Sequence, residues 1–352
     1  MKKINMLGLT LSLCSMLSIS CGKKDVNGIV VVVDSAGNEV LLPNRIERVV
    51  VTTEPAVDMM VAMGLGDKIS GAYKNVYNNP WLDRFWEHGK DTEKIQTYQP
   101  EAESLIASNT DIIFVPTKER ADALRDKGIC AITLRMFSPK EIKEGIKILG
   151  QIFGEKAQSR GAEWISDFQH SIDDISFRIK DVPSSKRKSC YQLMGDKYKG
   201  LFRTNYGDTL DYFVYGGGRS ALSDIEGTFT DHMPTEEAVL GTNPDVIFVN
   251  GTYASKLIKD LKNDQRWSAI NAVINNEIYR TPLGFSDWSA EGSELILMNY
   301  WVFSKLYPSR CDFDIKQIAN NFYEKYFSVT FSDDELTKMF DILSPEGNEL
   351  CN

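Results

Sequence analysis

Two unbroken apolar runs, Ile112-Ile113-Phe114-Val115 and Val246-Ile247-Phe248-Val249, stand 134 residues apart, and the polar positions around them match too. The first follows Pro100-Glu101-Ala102-Glu103-Ser104-Leu105-Ile106 and then Asp111. The second follows Pro234-Thr235-Glu236-Glu237-Ala238-Val239-Leu240 and then Asp245. Each copy reads as a short helix opened by proline, a turn, and a buried strand. A run without polar alternation suits a parallel sheet covered on both faces. Around the first copy the pattern predicts strands at 49–51, 69–72 and 129–134 and a helix at 55–63. Around the second it predicts strands at 189–194 and 278–281 and a helix at 291–307. Repeated alternation of strand and helix indicates α/β lobes with mostly parallel, Rossmann-like sheets. Ahead of them, 30–33 and 39–42 flank Asp34-Ser35-Ala36-Gly37-Asn38, a hairpin signal. Between the halves, Ile165, Phe168, Ile172, Ile175 and Ile179 alternate in steps of three and four and form one apolar helix face. A helix over 155–181 reaches about 40 Å, long enough to join two lobes rigidly. The expected organisation is an N-terminal lobe at 30–154, a connecting helix at 155–182 and a C-terminal lobe at 183–345.

Length and composition agree. A chain of 352 residues exceeds one ordinary core. Hydrophobic content of 42% and charged content of 25% are globular, and a net charge of −9 argues against nucleic acid as a partner. The first twenty residues carry Lys2 and Lys3, then an uncharged apolar stretch from Met6 to Ile19, and read as a signal peptide rather than a membrane span. Cys21 follows Leu17-Ser18-Ile19-Ser20 in a pattern that resembles a bacterial lipobox, with the leucine one place further from the cysteine than in the commonest form. Residues 21–29 then form a lipidated tether, and the expected location is outside the cytoplasm, anchored to a bacterial membrane. Plain secretion or an uncleaved anchor are the alternatives. Cys130, Cys190, Cys311 and Cys351 are widely spaced without C-x-x-C, so buried free thiols or one or two disulfides are open, and a zinc cluster is not expected.

From about Val30 to Phe327 the chain resembles the ABC-transporter substrate-binding proteins of the siderophore and cobalamin type. The likeness rests on residues 33–40 with Pro43 and Arg48-Val49-Val50-Val51, on 62–71, on the two helix-strand units, and on Gly216-Gly217-Gly218-Arg219-Ser220-Ala221. The resemblance implies two α/β lobes joined by one long helix, a ligand cleft between them, a monomer, and permease and ATPase partners. It further implies that Glu103 and Glu237, one per lobe, dock into arginine pockets of the permease, with Glu101 and Glu236 as rivals. Two carboxylates far apart on a rigid frame give oriented, bivalent docking.

Ligands of open α/β sheets bind at the carboxyl ends of strands. That selects Thr52-Thr53-Glu54, residues 73–81, Pro116-Thr117-Lys118, residues 195–203, Gly251-Thr252-Tyr253 and residues 284–288. The candidate ligand contacts are Glu54, Tyr73, Trp81, Lys118, Tyr198, Arg203, Tyr253, Phe285 and Trp288. Aromatic faces suit a large flat chelate, and cations meet its negative charge. His88, His170 and His232 are too few and too scattered for a bare transition metal. The resemblance therefore points to a metal chelate, first a ferric siderophore, then cobalamin, then heme, with no cofactor of the protein's own. An exported hydrolase and a scavenger lipoprotein without a transporter are the readings of other kinds. No G-x-S-x-G elbow or phosphate loop occurs, and Glu54 with Asp287 reads more simply as cleft polar groups than as a catalytic pair.

Overall fold

In a computed structural model, which describes residues 24–26, 29–193, 212–224, 236–251, 254–348 and 350, twelve strands fall into three sheets. Strands β1 (Lys24–Val26), β2 (Ile29–Val33) and β3 (Glu39–Leu41) form a small antiparallel sheet. Five strands build the N-terminal lobe: β4 (Val49–Val51), β5 (Ile69–Tyr73), β6 (Glu93–Ile95), β7 (Ile112–Val115) and β8 (Ala131–Thr133), ordered β6-β5-β4-β7-β8 and parallel throughout. The C-terminal lobe holds β9 (Ser189–Leu193), β10 (Arg219–Ser220), β11 (Val246–Val249) and β12 (Ile278–Arg280), ordered β10-β9-β11-β12 and also parallel. All residues of β4, β7 and β11 are buried, as unbroken apolar runs require.

The hairpin turn is held by Asp34, whose Oδ1 accepts from the backbone N–H of Ala36 and of Asn38 at 2.9 Å. The two copies of the helix-strand unit are alike in detail. Asn109 and Asn243 each adopt a positive φ, 51° and 46°, just before the strand. Asp111 then accepts from the N–H groups of Glu47 and Arg48 at 2.8 Å. Asp245 accepts from the N–H and Oγ of Ser189 at 2.9 Å. In both lobes the aspartate ties down the chain as it enters the neighbouring strand, which is why aspartate recurs at that offset.

The connecting helix runs Glu155–Arg178, ending sooner than the apolar spacing suggests, and spans about 36 Å. It packs along the preceding helix, Pro139–Phe153; a Cβ at Gly161 would come within 2.4 Å of Ile146 Cγ2, so the one internal glycine permits that approach. Near the end of the chain, two further helices, Ile315–Phe327 and Asp333–Phe340, cross back onto the N-terminal lobe. Phe85 lies 5.0 to 5.9 Å, ring centre to ring centre, from Tyr323, Phe327, Phe331 and Phe285. Asn79 Nδ2 donates to the carbonyls of Gly284 and Phe285 at 2.7 and 2.6 Å, and Trp164 Nε1 donates to Ser293 O at 2.9 Å. One buried cluster thus runs through both lobes and the helix between them. Cys130 and Cys311 are free thiols.

Candidate functional site

The cleft is assembled from the carboxyl ends of the N-terminal strands. Beyond β4, Thr53 precedes the helix Glu54–Ala62, with Pro55 pre-set for its first turn. Beyond β7, Thr117 Oγ1 accepts from Arg120 N and caps the helix Lys118–Arg125. Beyond β8 come Arg135 and Ser138, the latter capping the helix that carries Lys140, Glu141 and Glu144. Tyr98 follows β6 and stacks on Tyr73, with ring centres 3.9 Å apart. Thr53, Glu54, Pro55, Tyr98, Thr117, Arg120, Arg135, Ser138, Lys140, Glu141 and Glu144, with Phe137 and with Glu291 from the C-terminal lobe, line a cleft of about 730 Å³. That is the size of sites that enclose a drug-sized ligand.

The charges are mixed. Arg135 Nε is engaged by Glu141 Oε1 at 2.7 Å. Among the described residues no carboxylate pairs with Arg120, whose Nη1 donates to the Tyr98 carbonyl at 3.3 Å and whose guanidinium stands 5.9 Å from the Tyr98 ring centre. Burial pushes the Glu54 carboxyl above its ordinary range, an effect tempered by a hydrogen bond from Asn75. Burial also raises the Tyr98 phenol, so it stays a neutral hydroxyl. The site therefore offers cationic donors, hydroxyls and a half-exposed aromatic face, and it lacks a cluster of metal ligands among the described residues.

Of the sequence candidates, Glu54 lines the cleft and Tyr73 stands behind Tyr98, itself buried. Trp81, Phe285 and Trp288 do not reach the cleft. Trp81 and Trp288 are wholly buried, their indole N–H groups bonded to Leu343 O at 2.9 Å and Tyr323 Oη at 3.0 Å, and Phe285 packs on Phe85 and Phe327. They form the seam between the lobes, where large rings remove the most apolar area from water. Lys118 is also outside the cleft lining and pairs with Asp122 one helical turn on, at 2.5 Å. Asp287 is a buried staple, accepting from Gly251 N, Thr281 Oγ1 and Ser289 Oγ, so it makes no pair with Glu54. Tyr198, Arg203, Tyr253 and Cys21 lie outside the described residues. The sequence reading missed Tyr98, Arg120, Arg135, Lys140 and Glu291. Arg135 was within reach of the strand-end rule, because it directly follows the 129–134 strand. Tyr98 was not, because it follows an edge strand of three residues, two of them polar and exposed.

Glu103 and Glu237 are both exposed on their helices. Glu236 is tied to Arg266 through two contacts of 2.9 Å and to Trp267 Nε1 at 2.7 Å. Glu101 is exposed, 4.0 Å from Lys127.

Parallel sheets, a single crossover helix and a cleft at the strand ends coincide with a family match: the model of the family described as periplasmic binding protein fits residues 49–283, taking in both lobes and the connecting helix. The chain belongs to this family. This periplasmic binding protein is 23% identical to the molybdate-binding protein MolA of Haemophilus influenzae over 88% of its own length and 93% of the relative's. It superposes on the structure of MolA bound to molybdate with a TM-score of 0.70, at 21% identity over 86% and 99% of the two chains. YvrC of Bacillus subtilis, an uncharacterized ABC transporter substrate-binding lipoprotein, is 25% identical over 71% of this chain and 77% of that one. A periplasmic solute binding protein of Veillonella parvula superposes with a TM-score of 0.74, at 20% identity over 89% and 97%. The solved relatives share its two-lobe fold. Periplasmic binding proteins of this kind are not enzymes; they serve ABC importers beside permease and ATPase components. Among the described residues no helix is long and apolar enough to cross a membrane.

Proposed function

We propose that this periplasmic binding protein captures an anionic metal chelate, in the first place a ferric siderophore, and delivers it to an ABC permease. The observation that carries the reading is the 730 Å³ cleft in which Arg120 stands without a carboxylate partner among the described residues, beside the exposed face of Tyr98, with Lys140 on the same lining. A flat ring stacks on Tyr98, and a guanidinium offers paired donors to catecholate or carboxylate oxygens. A bare oxyanion would fill a small part of that volume. The long match to MolA nevertheless supports a second reading, in which a molybdate-type oxyanion binds at Arg120 and Lys140 alone. Cobalamin and heme are the remaining chelate readings. In this reading Cys21 carries the lipid anchor, and Glu103 and Glu237 dock the permease, with Glu236 set aside because Arg266 holds it.

All six tryptophans are buried, so their fluorescence reports poorly on the cleft. The test is equilibrium dialysis of the mature protein against ferric tris-catecholate, ferric hydroxamate, cobalamin, heme and molybdate, followed by metal analysis. Retention of a ferric chelate at about one per chain supports the first reading. Retention of molybdate, cobalamin or heme instead overturns it in favour of that cargo.

A further inference from the structure

The cargo cleft has a neighbour. A second hollow of about 260 Å³ shares Tyr98 and Arg120 with it as lining residues. The hollow lies between the helices Ala102–Ala107 and Lys118–Arg125, with Val115 and Leu124 as apolar lining and Glu101, Glu119 and Lys127 as charges. The first of these helices also carries Glu103, proposed above to meet the permease. Arg120 is lightly held: one hydrogen bond of 3.3 Å to a neutral carbonyl and a distant approach to the Tyr98 ring. Its charge faces both spaces, and neither holds it in an ion pair among the described residues.

We propose that Arg120 reports cargo occupancy to the permease: an anionic cargo draws its guanidinium into the cleft, and the hollow, left with Glu101 and Glu119, then receives a cationic side chain of the permease. The charges favour this occupant. With Arg120 and Lys127 both present the hollow is balanced against its two carboxylates, and a cation gains little by entering. With Arg120 withdrawn the carboxylates are in excess on the helix pair that also carries the exposed Glu103. A long side chain changes rotamer without moving the backbone, so the signal needs no large lobe motion. The two events are linked reciprocally, docking strengthening cargo binding as much as cargo strengthens docking. This inference rests on the importer reading above.

The experiment titrates the full chain onto its permease–ATPase complex in nanodiscs, with and without saturating ferric tris-catecholate or sodium molybdate. Cargo is expected to tighten wild-type docking about tenfold, within the usual span of such couplings. Arg120→Gln should dock without cargo about as tightly as the loaded wild type and gain nothing more from cargo. Arg120→Met, of similar length and uncharged, should behave alike and replaces it if the glutamine variant melts early. Lys127→Gln, in the hollow but not on the cleft, should dock more tightly in both states and keep the cargo gain. If the Arg120 variants keep the wild-type gain, or wild type docks equally in both states, the occupancy signal is refuted while the importer reading stands. A chain that does not dock at all overturns both.

Discussion

Asp58 and Glu294 are wholly buried where the lobes meet, and each is surrounded by donors, with no cation among the described residues. Asp58 accepts from the N–H of Ser293 at 2.9 Å and its Oγ at 2.7 Å. Glu294 accepts from Phe285 N, Ser286 N and Tyr323 Oη. Burial pushes Asp58 up to about 7; burial, and then the neighbouring Asp58 charge, push Glu294 up to about 8. In the unfolded chain both titrate near an ordinary carboxylate value of about 4. Between about pH 4 and pH 8 the native state therefore holds protons that the unfolded state releases, and stability falls as pH rises through that window. Thermal melts from pH 5 to 8.5 should show a falling Tm. Asp58→Asn, whose amide can still engage Ser293, should flatten the slope; an unchanged slope would clear Asp58 of the effect. Nothing at this scale was legible beforehand. An aspartate in an apolar helix and a glutamate before another are unremarkable until the fold sets them against each other. The aromatic candidates failed for the same reason. Trp81, Phe285 and Trp288 sit on strand-end loops as ligand contacts do, and only their packing partners, from 35 residues away for Trp288 to 262 for Trp81, tell seam from cleft.

Elements fared better, because their signals are local. The runs of β7 and β11 were readable as buried parallel strands, and the shared offsets of Asp111 and Asp245 marked two equivalent units before their common hydrogen-bonding role was visible. The edge strand β6 was not readable, since only Ile95 of its three residues is buried, and with it went Tyr98. The short helix Leu82–Phe85 shows what an element contributes beyond its length, since it delivers Phe85 to four rings of the opposite lobe and the returning helices. Phe85→Ala should cost about 3–5 kcal/mol, the usual range for emptying a large buried site. Denaturant unfolding gives the figure. A loss well below 1 kcal/mol would mean that the seam does not join the lobes energetically.

For the whole molecule, the lobes are held by three devices at once: the connecting helix, the aromatic seam, and polar ties such as Asn79 to Gly284 and Lys325 to Asp167 at 2.7 Å. Hinging would break several together, so cargo capture should change the radius of gyration little. Small-angle scattering with and without ferric tris-catecholate measures this, and a contraction of several ångström would contradict it. A rigid frame also keeps Glu103 and Glu237 at a constant separation. Reversing both, Glu103→Lys with Glu237→Lys, should abolish most cargo uptake by cells while leaving cargo binding in solution unchanged; intact uptake would remove both from docking. The seam has one more consequence, for the order of events in the life of the chain. Trp81 is bonded to Leu343, 262 residues later, and Phe85 is covered by residues from 285 to 331. The first lobe cannot seal its own interior while those residues are still on the ribosome, since contacts so distant in sequence form late. A chain destined for export must stay loose until it is across the membrane. Here a segment synthesised two hundred or more residues later is the one that closes the first lobe, so native closure waits for that segment however early the lobe itself emerges.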